Sequence, residues 1–286
     1  MKKKSLEDNN KLNSYVANNF NNVSLNSLFF PILLLILIGA FLLEKESLSV
    51  EGYAQIQKNL FLTLNNKFSK FETLQSNLTQ LGDVVILLPF FTIFILYASK
   101  FWQSLLTSLI FSITISTILK KIFAIPRPAS VFDNNTFMII GERLSGNTSL
   151  PSGHSIAAFT IMTLIFYAFK PLKVKFKVLW VFFIFILALI IVFTRIGVGA
   201  HYPLDVIIGS IIGYTAAILG VFVNTKYATW SFIENKKHYP FFIAFLCVWA
   251  ITLICKIMHV NLIVFYFSFL SIIITLFLIF RIYVQK

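Results

Sequence analysis

The chain has 286 residues, of which 58% are hydrophobic and only 12% charged, and its mean hydropathy is +0.83. A soluble domain carries about a quarter charged residues, so this surface is too poor in charge to be tiled against water and must largely face lipid. The net charge of +13 comes from 24 Lys and Arg against 11 Asp and Glu. These basic residues lie mainly between apolar runs, where they anchor loops at an anionic lipid surface and do not form a nucleic-acid footprint.

In chain order, residues 1–26 read as a polar, Asn-rich, mobile cytoplasmic tail. Eight apolar runs follow, at 27–43, 84–98, 102–119, 154–169, 178–194, 203–223, 241–257 and 262–280. They come in solid blocks without the alternation of a membrane barrel. The expected fold class is an all-α polytopic transmembrane helix bundle. Several runs fall short of the ~20 residues that span a typical bilayer, the second and third among them. The first run does not read as a signal peptide, because it follows a long polar, Asn-rich stretch and Glu44-Lys45-Glu46 stands where small cleavage-site residues would be expected.

With the N-terminus inside, Lys2-Lys3-Lys4, Lys100, the Lys170/Lys173/Lys175/Lys177 loop, Lys226, Lys236-Lys237, Arg281 and Lys286 all fall on the cytoplasmic side. That satisfies the positive-inside rule, and segments 44–83, 120–153, 195–202 and 258–261 then face outward. Segment 53–81 differs in kind. Tyr53, Ile56, Leu60, Leu64, Phe68, Phe71, Leu74, Leu78 and Leu81 recur every three or four residues among polar ones, as in an amphipathic helix or helical pair. Packing against the bundle is favoured over a helix lying on the outer leaflet. Cys247 and Cys255 share one apolar run, about 12 Å apart along a helix, too far for a disulfide.

In so apolar a chain the few ionisable groups at helix ends are functional candidates, and three outward-facing segments hold most of them. Lys120 closes the third run, and Pro126 and Pro128 stop the helix beyond it. Arg127 is thus held near Lys120, a point charge and a fork suited to phosphate. Pro151-Ser152-Gly153-His154 opens the fourth run. There Ser152 is an N-cap, Gly153 lets backbone approach a ligand, and the first-turn N–H groups form an anion site beside His154. In Thr194-Arg195-Ile-Gly-Val-Gly-Ala-His201-Tyr-Pro-Leu-Asp205, Pro203 fits the first helical position. Asp205 then lies in the first turn near His201, able to fix its tautomer and free the other ring nitrogen as a nucleophile. Alone, the first segment reads better as the anchoring of a helix end, and the second only suggests a site. Asp205 in the third is the only acid in or bordering the last six hydrophobic blocks apart from loop Glu234, so its placement is not incidental. Together, on one side of the membrane, they supply three cations, N–H donors, one oriented His and one free His. That set is complete for phosphoryl transfer, with no carboxylate cluster for Mg²⁺; no metal and no cofactor is expected. His238 and His259 are assigned to loop and interface roles.

Lys-x₆-Arg-Pro (Lys120, Arg127, Pro128), Pro-Ser-Gly-His (151–154) and Arg-x₅-His-x₃-Asp (Arg195, His201, Asp205) resemble the three signature motifs of the type 2 phosphatidic acid phosphatase superfamily, which includes bacterial membrane lipid phosphatases. Order and spacing match throughout, and the likeness covers roughly residues 84–223. Thr194 stands where the third motif usually has Ser. The resemblance implies a six-span phosphatase core, and hence four regions: the tail (1–26), the first span with the outward amphipathic segment (27–83), the core (84–223), and a cytoplasmic loop with two extra spans (224–286).

It also implies roles. His201 would attack phosphorus to give a phosphohistidine while Asp205 steadies the imidazolium. His154 would protonate the leaving oxygen and then activate water. Lys120, Arg127, Arg195 and the Ser152/Gly153 backbone would hold the phosphate oxygens. The expected activity is metal-independent hydrolysis of a phosphomonoester or diphosphate on a membrane lipid at the outer face of the cytoplasmic membrane. Phosphatidic acid, phosphatidylglycerol phosphate, polyprenyl diphosphate and lipid A phosphate are the candidate substrates, and the loop from Asp133 to Ser149, with Glu142 and Arg143, is the candidate head-group contact. The expected partners are this lipid and the bilayer, not nucleic acid. A lipid-to-lipid phosphotransferase using the same residues is the alternative. A transporter or non-catalytic membrane protein, from another class, would need charges near mid-bilayer or lost motif residues.

Overall fold

The computed structural model describes residues 2–284, with side chains from residue 11 onward, and contains no strand among them. Its longer helices are α1 (Lys2–Asn21), α2 (Phe29–Glu44), α3 (Val50–Phe68), α4 (Glu72–Gln80), α5 (Ser99–Phe123), α6 (Gly153–Ala168), α7 (Val174–Gly197), α8 (Pro203–Tyr227), α9 (Tyr239–His259) and α10 (Ile263–Val284). The chain is an all-α, multi-pass membrane bundle. Six segments are long and apolar enough to cross a bilayer: Leu25–Glu44, Ser99–Val131, Val174–Gly197, Pro203–Tyr227, Lys236–His259 and Ile263–Val284.

The bundle is built around α8, which packs on α5 and α6 along its length. Lipid tails are as apolar as leucine, so helices in a bilayer associate through close backbone approach at small residues. Gly209 and Gly213 supply it. A Cβ at Gly209 would stand 2.8 Å from the Ser152 carbonyl oxygen, and one at Gly213 would stand 2.9 Å from Phe159 Cβ. The α6–α8 contact thereby sets the spacing between the second and third sequence motifs.

Two of the eight apolar runs are not long helices. The fourth run forms α6, only 16 residues, about 24 Å at 1.5 Å per residue. The run at 84–98 is broken into the short turns Val84–Leu87, Leu88–Phe91 and Phe94–Tyr97, with Pro89 within the second. Broken backbone at membrane depth is tolerable only where protein covers it and its polar groups find partners. Both conditions are met here. Trp249 Nε1 donates to the Val85 carbonyl at 2.9 Å, Ser268 Oγ to that of Ile86 at 2.9 Å, and Trp102 Nε1 to that of Phe91 at 2.6 Å. The Thr92 and Thr275 hydroxyls meet at 2.8 Å. Three of these partners belong to α9 and α10, so the two C-terminal helices sheathe the broken crossing.

The stretch read from sequence as a mobile tail is docked. Val16 and Phe20 are buried in the main core, Tyr15 Oη donates to the Lys170 carbonyl at 2.5 Å, and Asn19 Nδ2 donates to the Ala168 carbonyl at 2.9 Å. Val16 and Phe20 lie one helical turn apart, a stripe too narrow to register within an Asn-rich composition. Segment 53–81 is a helical pair, α3 and α4. Its buried face carries Gln57, Asn65, Gln75 and Thr79 beside Tyr53, Ala54 and Phe61. A face that buries so many polar groups is directed at polar partners, and these lie at the motif end of the bundle.

Candidate active site

Each motif residue sits where a helix starts or stops. Lys120 is in the last turn of α5, which ends at Ala124 in left-handed backbone (φ 45°). Arg127 then precedes the short helix Pro128–Val131. Arg195 is in the last turn of α7, His201 is in the loop after it, and Asp205 is in the first turn of α8. Gly199 turns that loop at φ +77°, where a Cβ would stand 2.7 Å from the Met138 carbonyl, so this position requires glycine.

His201 is the point of convergence. Its Nδ1 lies 3.4 Å from Asp205 Oδ2, and its Nε2 lies 3.4 Å from Arg127 Nη1. A guanidinium only donates, so Nε2 is the acceptor and Nδ1 carries the proton toward the carboxylate. Burial first, then the charges of Arg127, Arg195 and Lys120, hold this imidazole well below the usual histidine range. It is therefore neutral at pH 7, with its Nε2 lone pair on the cationic side. Arg127 is fixed by the Ala200 carbonyl (3.2 Å from Nη1) and by Thr148 Oγ1 (3.4 Å from Nε).

Asp205 is fully buried and saturated with donors. Tyr53 Oη reaches Oδ1 at 2.8 Å, while Ser149 Oγ and the Tyr202 N–H reach Oδ2 at 2.6 and 3.0 Å. Burial, then the Asp205 charge, raise the Tyr53 hydroxyl well above its ordinary value, so it stays a donor. Gln57 braces the same turn by accepting from the Leu204 N–H at 2.7 Å. Arg195 is buried; its Nη1 donates to Thr79 Oγ1 at 2.6 Å, and its Nε has no partner among the described residues.

Lys120 lies against the start of α6, its Nζ 3.6 Å from where a Cβ of Gly153 would stand. His154, in that first turn, is packed against Gly82 and makes no hydrogen bond with the described residues. Ser152 differs from the expectation that it offers its backbone to an anion. Its N–H donates to the Asp205 carbonyl at 3.1 Å, and its Oγ accepts from the Ser155 N–H and Oγ at 3.4 and 3.0 Å. Ser152 is occupied in joining α6 to α8, and the free backbone of the turn begins at Gly153.

The loop at 133–149 contributes Ser149 and Thr148 to the site, while Glu142 and Arg143 are exposed. His238 Nδ1 lies 3.0 Å from the Phe232 carbonyl within its own loop, and His259 is exposed at the end of α9; neither joins the site.

Tyr53, Gln57 and Thr79 escape a reading by motif. A signal was nonetheless present: Tyr53, Gln57, Phe61 and Asn65 follow at four-residue intervals, so polar groups occupy the very face that the apolar period marks for burial. Below the site an apolar cleft of about 470 Å³ opens between α2, α6, α7 and α8, lined by Leu34, Phe159, Ala188, Val192 and Val206 among others. Val206 adjoins Asp205, and Val192 is one turn before Arg195.

The chain is 27% identical over 179 residues to the undecaprenyl-diphosphatase of Sulfolobus acidocaldarius, covering 62% of this chain and 79% of that protein. It is 33% identical over 134 residues to the lipid A 1-phosphatase of Rhizobium etli, covering 46% of this chain and 53%, about half, of that protein. Among solved structures, the crystal structure of Aquifex aeolicus LpxE aligns at 26% identity and a TM-score of 0.48, over 58% of this chain and 95% of that one. The match to the PAP2 superfamily spans residues 101–230 and takes in all three motifs. This chain is a membrane protein that is similar to the PAP2 superfamily over residues 101–230.

Proposed function

We propose that the protein hydrolyses a phosphomonoester or diphosphate on a membrane lipid, through a phosphohistidine at His201, on the outer face of the cytoplasmic membrane. The observation that carries this reading is the placement of His201, with Nδ1 toward a carboxylate at 3.4 Å and Nε2 toward a guanidinium at 3.4 Å. A phosphoryl group drawn between Arg127, Lys120 and Arg195 would meet the Nε2 lone pair directly.

In the first step the Nε2–phosphorus bond forms as the bond from phosphorus to the lipid oxygen breaks. Asp205 holds the Nδ1 proton and stabilises the imidazolium, while His154 gives a proton to the departing oxygen. In the second step His154 takes a proton from water, whose oxygen attacks phosphorus and releases His201. The three cations and the Gly153 backbone hold the equatorial oxygens as charge spreads over them.

A lipid substrate is supported by the apolar cleft, whose upper end adjoins Asp205 and Arg195, and by the relatives' own activities on lipid-linked phosphates. The outward placement rests on the basic loops gathered at the opposite end of the bundle. The test is phosphate release from a panel of lipid phosphates by purified protein in detergent, with EDTA present. Wild-type activity should survive chelation, and His201→Ala should abolish it. An active His201→Ala protein overturns the mechanism. Incubation with two lipids distinguishes a phosphotransferase, which would yield a newly phosphorylated lipid instead of free phosphate.

A further inference from the structure

The turn that ends α4 connects the site to the two C-terminal helices. Thr79 Oγ1 is the protein partner of Arg195, accepting from Nη1 at 2.6 Å. Three residues on, Gly82 lies flat against His154, where a Cβ would stand 2.6 Å from His154 Cβ and 2.9 Å from Cδ2. Asp83 follows. Its Oδ1 caps the next turn through the Val85 N–H at 2.9 Å, and its Oδ2 pairs with Lys256 Nζ of α9 at 3.1 Å. α4 is tied to α10 as well, since Asn77 Oδ1 accepts from the Val264 N–H at 3.2 Å. Residues 77–83 thus touch two motif side chains on one flank and α9 and α10 on the other.

We propose that Thr79, Gly82 and Asp83, anchored by Lys256, are positioning residues through which α9 and α10 fix Arg195 and His154. The proposal rests on the phosphatase reading of the site. Arg195 is buried with its Nε unpaired, so the Thr79 hydroxyl is the protein group that sets the rotation of the guanidinium fork. A misaligned fork loses its bonds to a phosphate in the transition state while the lipid tail still binds. His154 has no hydrogen bond to hold its ring, and the flat surface of Gly82 takes that place by contact. The helices that sheathe the broken crossing thereby also define the back of the site.

The experiment compares wild type with Thr79→Val, Thr79→Ser, Gly82→Ala and Lys256→Met, each purified in detergent. It measures kcat, KM, the pH–rate profile and thermal melting with dioleoyl phosphatidic acid and with a polyprenyl diphosphate. Thr79→Val leaves a buried guanidinium without its acceptor and should lower kcat/KM about 10–100-fold. Thr79→Ser restores the hydroxyl and should stay within about threefold of wild type. Gly82→Ala should lower kcat, leave KM nearly unchanged and displace one limb of the pH–rate profile, because the ring it moves exchanges the proton. Lys256→Met, at a partly exposed pair, should lower kcat by only about two- to fivefold.

Wild-type kinetics in Thr79→Val, a Thr79→Ser no better than Thr79→Val, or a Gly82→Ala with wild-type kcat and pH profile each overturn the proposal. If Thr79→Val does not fold, Thr79→Ser and Gly82→Ala decide it by the same criteria. A wild-type protein that releases no phosphate from either lipid instead overturns the phosphatase reading on which this proposal rests.

Discussion

Two clusters of charge, at opposite ends of the bundle, are handled in opposite ways. At the end holding the basic loops, Lys100 is paired with Glu234 at 2.9 Å, and Gln103 and Ser99 donate to the same carboxylate at 2.9 and 3.2 Å. At the motif end, Lys120, Arg127 and Arg195 form no ion pair with any described residue. The acid buried among them, Asp205, is taken up by two hydroxyls, a backbone N–H and the His201 ring. The Lys100 cluster at one end is neutralised within the protein. The other holds cations unneutralised, at a cost in desolvation that an arriving anion would offset. The difference separates a site from an anchor more sharply than the number of charges at either end.

The largest expected effect breaks the His201–carboxylate relation while leaving its shape. Asp205→Asn keeps the acceptor for Tyr53 but puts an amide N–H₂ in place of Oδ2, facing Nδ1, Ser149 and the Tyr202 N–H; this favours the wrong tautomer and removes the charge that steadies the imidazolium. Phosphate release should fall by about 10³-fold or more, and the melting temperature should drop modestly, because the buried Tyr202 N–H loses its acceptor. A loss below tenfold would mean that the carboxylate only caps α8.

Next in size is a change in pH dependence. Burial, and then the cations, hold His201 below its ordinary range, so the nucleophile stays unprotonated into mild acid, and the acid limb of kcat/KM should lie below the usual histidine value of ~6.5. Arg127→Met removes a positive charge beside Nε2, which makes protonation easier. The pKa rises and the limb moves to higher pH, together with a loss of about 10–100-fold from the missing phosphate contact. A limb that stays in place would remove Arg127 from the neighbourhood of the nucleophile.

Much of this was legible in the sequence, for identifiable reasons. Lys120, Arg127, His154, Arg195, His201 and Asp205 stood out because ionisable groups at the ends of apolar runs are scarce in so hydrophobic a chain. Proline and glycine fixed which helix end each one occupied. What escaped was whatever depends on contacts distant in sequence. Tyr53 counted as one more apolar position on an amphipathic helix until the fold set its hydroxyl against Asp205, 152 residues away. The run at 84–98 has the hydropathy of a span, and hydropathy does not register that its carbonyls are satisfied by Trp249 and Ser268. Ser152 was rightly read as a cap, yet its N–H is taken by a carbonyl of α8, a partner that local sequence does not name.

Smaller again is Tyr53→Phe. It removes one of four donors to Asp205 without changing shape, and the remaining three still orient the carboxylate. A loss of about three- to tenfold in kcat is expected, with KM unchanged. Ser149→Ala should act in the same direction, and the double variant should lose more than the two single effects combined, because both hydroxyls act on one carboxylate.

The smallest effect belongs to the other end and tests whether the comparison holds. Lys100, Glu234, Gln103 and Ser99 tie α5 to the loop before α9. Burial alone would push the Glu234 carboxyl up, but its bond and charge pairing with Lys100, aided by Gln103 and Ser99, bring it below its ordinary value. A folded-state value lowered in this way contributes stability above the unfolded carboxylate pKa of ~4.3, and that contribution is lost as pH falls through the folded value. Because the pair is partly exposed, screening keeps it small, within about 1 kcal/mol. Glu234→Gln should therefore melt slightly below wild type at pH 7, and the two curves should converge in acid. Its kcat and KM should equal those of wild type, since no residue of this cluster lies at the motif end. An activity loss in Glu234→Gln comparable to that of Tyr53→Phe would mean that the two ends are coupled through α5, and that the division between anchor and site is not one the protein respects.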